Sequence, residues 1–228
     1  MTNRGNAIVN KKNILNILNG QVMYDYFKQH YFDKNSVYMP FNEAMCVGEV
    51  TDDIFSNQFN KCRCDAHHVT IEQYNELTLK PLQMLFQNQF SHIVLWFDDD
   101  MFCQINLLTL LAYLNQINYN RKITFNLVNQ EFKVVDCFEF DVQGYNGIYK
   151  QVMINRGIPQ NIKLSVMENG IRLYLEYLKE ENEITEYIRQ HGDLQRDILV
   201  TELLKVFPQY GLGDTQYIEL IEKYRKSN

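Results

Sequence analysis

Three consecutive carboxylates, Asp98, Asp99 and Asp100, end an apolar run that begins at His92 and resumes as a Leu-rich segment after Met101. A buried strand that closes on acids delivers charge to the mouth of a sheet, and open α/β sheets bind ligands outside the carboxyl ends of their strands. Glu43 follows a second β-forming run and offers a fourth carboxylate. Two acids that flank a neutral polar substrate can give and take protons, which makes Glu43, Asp98 and Asp100 the candidate catalytic groups. Asn19, Gly20, Asn42, Gly48 and Asp99 border the same strand ends, and Gln104 falls one turn into the next helix, so these six are candidate ligand contacts. Gly144 and Gly147 join them because a backbone without Cβ lets a ligand approach closely. The acids also have a plainer use: a carboxylate at a helix start accepts backbone N–H bonds and sits well in the helix dipole. Capping takes only one of the three.

The turn Asn19-Gly20 before a helix presents free N–H groups suited to an anion. The further glycines of a dinucleotide fingerprint are missing, and so is a Walker sequence. Acids repel phosphate unless a hard cation bridges them; Mg²⁺ is open on those grounds, but no ligand spacing specifies it. The residues therefore name no cofactor. Cys62, Cys64, His67 and His68 bring soft ligands together, yet their spacing is not the two-part spacing of a structural zinc site. Cys46 beside Gly48 is a nucleophile in principle, with His30, His92 or His191 as base. No triad assembles from them, because His92 opens a buried strand.

The elements that must position these groups alternate. Asn13 to Leu18, Ser36 to Phe41, His92 to Phe97 and Ile123 to Val128 read as strands, and Val134 to Asp141 as a fifth. Helices are expected over Gln21 to His30 with Val22, Tyr26 and Phe27 inward, from a cap at Asp52 or Asp53 through Asn60, and over Thr70 to Phe90 in two pieces about Pro81. Met101 to Asn118 should bury Leu107, Leu108, Leu111 and Leu114 on one face. Gln143 to Gly147 reads as a turn. This alternation predicts an α/β fold, a mainly parallel sheet flanked by helices in a Rossmann-like three-layer arrangement. After Ile158-Pro159 the strand signal ends, and four helices follow: Lys163 to Lys179, Asn182 to Gln190, Asp193 to Phe207 and Asp214 to Lys226. The expected division is an α/β ligand-binding domain over residues 1–158 and a small all-helical C-terminal domain over 159–228.

The 228 residues, 46% of them hydrophobic, are enough to bury a sizeable core, and the net charge of −6 supplies no basic field for nucleic acid. The run Ala7-Ile8-Val9 is shorter than a signal-peptide core, and no window reaches the roughly 18 apolar residues of a membrane span. Five cysteines without framework spacing fit reduced thiols. A cytoplasmic protein that engages no membrane is the expectation.

The segments Asn16-Ile17-Leu18-Asn19-Gly20, Asn42-Glu43-Ala44-Met45-Cys46-Val47-Gly48 and Val94 to Leu108 carry a resemblance. Over roughly Asn13 to Gly147 the chain is similar to a bacterial family of unknown function, number 1835 among such domains. That family reads Asn-Gly-Asp after its first strand, Arg-Glu-Ala-Leu-Cys-x-Gly-Pro after its second and Trp-Phe-Glu-His-Asp-x-x-Asp-Gln before its Leu-rich helix. Glu43, Cys46, Gly48, Asp98, Asp100 and Gln104 match the pattern. Gln21, Asn42, Asp99 and Cys103 depart from it, standing where an acid, Arg, His and a second Asp are usual. Gly211 to Tyr217 weakly resembles the family's helical C-terminal companion domain. The resemblance marks positions, not a reaction, although some members are labelled regulators.

Taken together, the residues point to a small polar ligand, a nucleotide or related metabolite, held in a carboxylate-rich cleft at the carboxyl edge of the strands. Whether catalysis follows is open. The alternative is a non-enzymatic transcriptional regulator or protein-interaction module acting through the C-terminal helices. In the last helix Glu219 and Glu222 are mixed with Lys223, Arg225 and Lys226, unlike the basic face of a recognition helix. Leu199, Leu203, Leu204, Ile218 and Ile221 are instead expected to be buried, against the sheet, one another or a second copy in a homodimer. A fluorescence titration with DNA should therefore show no sequence-selective, salt-sensitive binding at sub-micromolar protein; such binding would promote the regulator.

Overall fold

Short runs of β-branched and aromatic residues, closed by Asn-Gly, Pro or Asp, become the strands. The computed structural model describes residues 13–31 and 33–225. Strands β1 (Ile14–Leu18), β2 (Ser36–Pro40), β3 (His92–Phe97), β4 (Lys122–Val128) and β5 (Val134–Glu139) form one sheet in the order β2-β1-β3-β4-β5. The first four are parallel, as the alternation predicts, and β5 returns antiparallel to β4. Only a tight turn separates β4 from β5, too few residues for a parallel crossover. From β1 the chain passes to β2 on one side and then to β3 on the other, so the order reverses between β1 and β3.

Alternation along the strands sends side chains to two unequal layers. Leu15, Ile17, Ile93, Leu95, Phe97 and Phe125 enter the main apolar cluster together with α2 (Asn57–His67), α4 (Gln83–Phe86) and α5 (Met101–Gln116). On the other face Leu18 and Val128 meet Met23 and Phe27 of α1 (Gln21–His30) in a smaller cluster. The inward face of α1 thus differs from the expected one: Met23 and Phe27 lie under the helix, while Val22 is 76% exposed. A second correction concerns α2. Its cap is Ser56, whose hydroxyl accepts from Phe59 N, and not Asp52 or Asp53.

Thr70 opens α3 (Ile71–Tyr74) with a capping box, a π-helical stretch covers Asn75–Leu79, and Pro81 stands in the turn before α4. The segment expected to be a turn at Gln143–Gly147 instead starts α6 (Tyr145–Tyr149), which continues as a second π stretch through Ile154. Helix α5 is buried almost all round, not on one face, because the sheet covers one side while α6 and α7 (Ser165–Tyr177) pack along it.

Helices α8 (Glu183–Gln190), α9 (Arg196–Val206) and α10 (Asp214–Tyr224) complete the chain. Met167, Ile171, Leu199, Leu203 and Ile221 belong to the same apolar cluster as the sheet, so the core runs unbroken across residue 158. Leu204 is an exception to the expected burial at 42% exposed, and Ile218 is partly buried. Lys226, the expected end of the last helix, lies outside the described residues. No helix among the described residues is long and apolar enough to cross a membrane.

Helices α5 and α7 approach closely at Gly170 of α7, where a Cβ would stand 2.5 Å from Cβ of Gln104 on α5. Gly170→Ala should force the two helices apart and cost about 1–3 kcal/mol in urea denaturation. Gly147→Ala, where nothing lies within 4 Å of the added carbon, should be neutral or stabilising by up to about 1 kcal/mol.

Candidate functional site

Backbone bonds at the carboxyl edge set the frame. Asn19 N donates to Trp96 O at 3.1 Å and Phe41 N to Leu18 O at 2.7 Å, so the turns after β1 and β2 leave the sheet side by side. Gly20, with φ at +89°, swings the chain into α1. Asn106, two turns into α5, ties both turns to that helix: its Nδ2 donates to Asn19 Oδ1 (2.9 Å) and Glu43 O (2.7 Å), while its Oδ1 accepts from Met45 N (3.0 Å). Asn19 Nδ2 in turn donates to Cys103 Sγ at 2.8 Å.

The Glu43 side chain has no solvent exposure. Its Oε1 accepts from Ala44 N (2.9 Å) and Arg63 Nη2 (3.0 Å) and lies 2.5 Å from His67 Nε2; Oε2 accepts from Tyr74 OH at 2.6 Å. Burial pushes this carboxyl up, but the hydrogen bond from His67 and the charge of Arg63 outweigh it and hold it at about 2. Arg63 is itself buried and donates to Val47 O, Glu49 O and Ala44 O, so one guanidinium shapes the whole loop after β2. Arg63 and His67 stand four apart on α2, on one helix face. Gly48 lets that helix approach: with φ at +69°, its Cβ would lie 2.4 Å from that of Ala66.

His67 keeps 25% of its side chain exposed. Its Nε2 lies 2.5 Å from the Glu43 carboxylate and 2.9 Å from Arg63 Nη2; in the tautomer that donates from Nε2 to the carboxylate, Nδ1 carries the lone pair, and Nδ1 has no hydrogen-bond partner among the described residues. The ring borders a cavity of about 450 Å³ lined by Gln21, Asn42, Tyr74, Leu77 and Thr78. Asn42 is held across it, donating to Gln21 Oε1 (3.3 Å) and Leu77 O (3.1 Å) and accepting through its own carbonyl from Thr78 Oγ1 (2.8 Å).

The aspartates divide. Asp100 caps α5, accepting from Cys103 N at 2.7 Å, and its carboxyl is wedged against Gly211, where a Cβ would come within 2.3 Å. Asp99 is exposed. Asp98 is half-buried; burial first, then the hydrogen bond with Asp99 and the charge of Asp100, push its carboxyl up to about 7. Gln104 is buried, donates to Asp98 O at 2.6 Å and leaves its Oε1 without a partner among the described residues.

Of the sequence candidates, then, Asn19, Gly20, Asn42, Glu43 and Gly48 gather around one loop system, and Asp98, Asp100 and Gln104 gather at the start of α5. Neither Asp98 nor Asp100 lines the cavity at His67. Gly144 and Gly147 lie at the far end of α5, where Asn146 N donates to Asn115 Oδ1; sixteen helical residues, about 24 Å, separate the two ends of that helix. Among the described residues no three His, Cys, Asp or Glu side chains gather as a metal site. Cys46 is buried, and burial raises its thiol to about 12, against a thiolate nucleophile. Sequence reasoning missed Arg63, Tyr74 and Asn106 and took His67 only as a weak zinc ligand; the four-residue spacing of Arg63 and His67 was the one local sign of a shared face.

No family model, curated protein or solved structure matches the chain.

Asp98 and Glu43 should respond to pH with opposite signs. The Asp98 carboxyl titrates higher folded than unfolded, so the stability it contributes is complete at acid pH and is lost as pH rises through about 7. Asp98→Asn should accordingly raise Tm above neutrality and leave it unchanged in acid. Glu43 titrates lower folded, so its contribution is present at neutral pH and lost as pH falls toward about 2. Glu43→Gln strands the buried Arg63 and should cost about 3–5 kcal/mol in denaturation at neutral pH.

Proposed function

We propose that the chain binds a small polar ligand, a nucleoside, nucleotide or related metabolite, in the cleft beside His67, with that imidazole as the group that gives or takes a proton. The observation that carries this reading is the contact of 2.5 Å between His67 Nε2 and a carboxylate that is itself held immobile. A buried acid that orients one ring nitrogen leaves the other as base or hydrogen-bond acceptor, since the partner of one nitrogen sets the tautomer of the ring. Glu43 acts on the ligand through His67, and Asp98, with its carboxyl near 7, is a second proton-exchanging group at the same sheet edge.

The cleft's lining favours the chemical class. Ala44, Val69 and Leu77 make much of the wall apolar, Gln21, Asn42 and Thr78 supply amides and a hydroxyl, and no Lys or Arg among the described residues lines the space. A neutral, hydrogen-bonding part of a metabolite fits this better than a phosphate, which would require cations or a metal. The regulator alternative gains less support. Arg225, at the end of α10, donates to Gly192 O and Leu194 O, Arg196 pairs with Glu222, and Arg189 lies over the Tyr224 ring, so these cations are engaged inside the helical unit. Kinship with the family of unknown function numbered 1835 is part of the same proposal, supported by Glu43, Asp100 and Gln104 standing where its pattern has them.

A thermal-shift screen of nucleosides, nucleotides and neutral polar metabolites, with and without Mg²⁺, tests the reading, since a ligand at a hundred times its Kd stabilises the folded state by about 2.7 kcal/mol. The expected result is at least one hit whose shift disappears in His67→Ala, a variant whose unliganded Tm falls because the Glu43 carboxylate loses a hydrogen bond but whose circular dichroism remains that of the folded protein. A screen in which no hit loses its shift in His67→Ala, or in which there is no hit at all, overturns it.

A further inference from the structure

A second cavity, of about 370 Å³, opens between α1 and the β4–β5 turn, on the face of the sheet opposite the main core. Its size is within the roughly 300–1,000 Å³ of small-molecule sites. Aromatic rings make its walls: Phe27 and Tyr31 from α1, Tyr38 from β2, Trp96 from β3 and Phe132 from the turn. Phe27 meets Trp96 edge-on with centroids 4.8 Å apart, and Tyr26 backs Phe132 at 5.0 Å. The indole N–H of Trp96 is engaged by Asn16 Oδ1 at 3.0 Å, which fixes the ring and removes its only polar atom as a partner for an occupant.

Phe132 carries a second sign of purpose. Its φ is +60°, a left-handed conformation that a bulky side chain adopts at a cost. The turn enforces it: Asn129 Oδ1 accepts from Glu131 N and Lys133 N, and Phe132 N donates to Asn129 O. Gly or Asn would relieve the strain at this position, whereas Phe sets a ring over the cavity. Lys133 lines the mouth, and its ammonium is held by Glu131 at 2.5 Å in solvent. Aromatic walls alone would attract an organic cation, but the Lys133 charge at the mouth opposes one, and its pairing with Glu131 leaves no free cation for an anion among the described residues of the lining. The occupant favoured by walls and rim together is flat and uncharged. The place is also apt, because Trp96 O accepts from Asn19 N across β1 and β3, where the strand order reverses and open α/β sheets hold ligands.

We propose that this cavity binds an uncharged planar aromatic ring of nucleobase size, stacked on the rings of Trp96 and Phe132. The site is separate from the cleft at His67 and does not depend on it.

Trp96 is the single tryptophan of the chain, so its emission reports on the cavity wall directly. Titration with adenine and with nicotinamide, corrected for their absorbance, should quench that emission saturably, and cyclohexanol at the same concentrations should not. Phe132→Ala should raise Kd at least about tenfold, roughly the worth of one base–ring stack by alanine substitution. Tyr31→Ala should weaken binding in the same direction, and its ring is 53% exposed, so the fold tolerates its loss. His67→Ala should leave the quenching unchanged, which separates this site from the cleft at His67. Absence of saturable quenching by both probes, equal quenching by cyclohexanol, or wild-type affinity in both ring variants overturns the proposal; if circular dichroism shows Phe132→Ala unfolded, Tyr31→Ala alone decides.

Discussion

Keeping the Glu43 carboxylate charged with no water around it is the requirement from which much of this architecture follows. Removing a carboxylate and a guanidinium from solvent costs several kcal/mol for each ion, and their attraction repays this only when the remaining lone pairs and protons also find partners. Here they nearly all do. Tyr74 and the Ala44 amide complete the carboxylate, and three carbonyls of the loop after β2 complete Arg63, leaving only its Nε unpartnered among the described residues. A pair built this way adds little net stability compared with an apolar core of equal volume. What it specifies is geometry: the loop from Asn42 to Glu49 has one arrangement that satisfies the guanidinium, and His67 one orientation that meets the carboxylate.

The same accounting explains why α5, the most deeply buried helix, is not wholly apolar. Asn106 is placed where the loops after β1 and β2 would otherwise leave Met45 N without an acceptor, and it joins those loops through its own amide. Gln104 does this only in part, donating to Asp98 O while its Oε1 has no described partner. The close approach of Gly170 to Gln104 and of Gly211 to Asp100 brings α7 and the connection before α10 against the amino end of α5. The C-terminal helices thereby wall off the acids from one side, and burial is the leading reason both Asp98 and Asp100 hold their protons more tightly than usual.

Two cavities flank this edge from opposite sides of the sheet, one lined by aliphatic side chains with amides, a hydroxyl and an imidazole, and the other by rings. Their common location has a topological cause. Where β1 sends the chain to β2 on one side and β3 carries it to the other, neighbouring connections diverge onto opposite faces and leave space between them. The turn Asn19-Gly20 is the divider, with α1 leaving toward the aromatic face while the loop after β2 turns toward α2.

Sequence by itself determined the strands, the parallel run of the first four through their alternation with helices, and the long helix after the acids, and it offered one of the three aspartates as the cap of that helix. All of these rest on local periodicity or on a side chain bonding its own neighbours, and such information is contained within a few residues. It did not determine which way each element faces. Met23 rather than Val22 turns inward from α1 because Leu18, Phe27 and Val128 form the cluster it joins, and α5 is enclosed all round because α7 arrives from sixty residues further on. The direction of the Glu43 side chain was equally illegible. A loop carboxylate turns toward whatever cation and donors the fold supplies, and Arg63, His67 and Tyr74 reach it from twenty to thirty-one residues away. The chemistry of the site was therefore decided by tertiary structure, since electrostatic partners are chosen by distance in space, while the scaffold that brings them together was written in the local pattern.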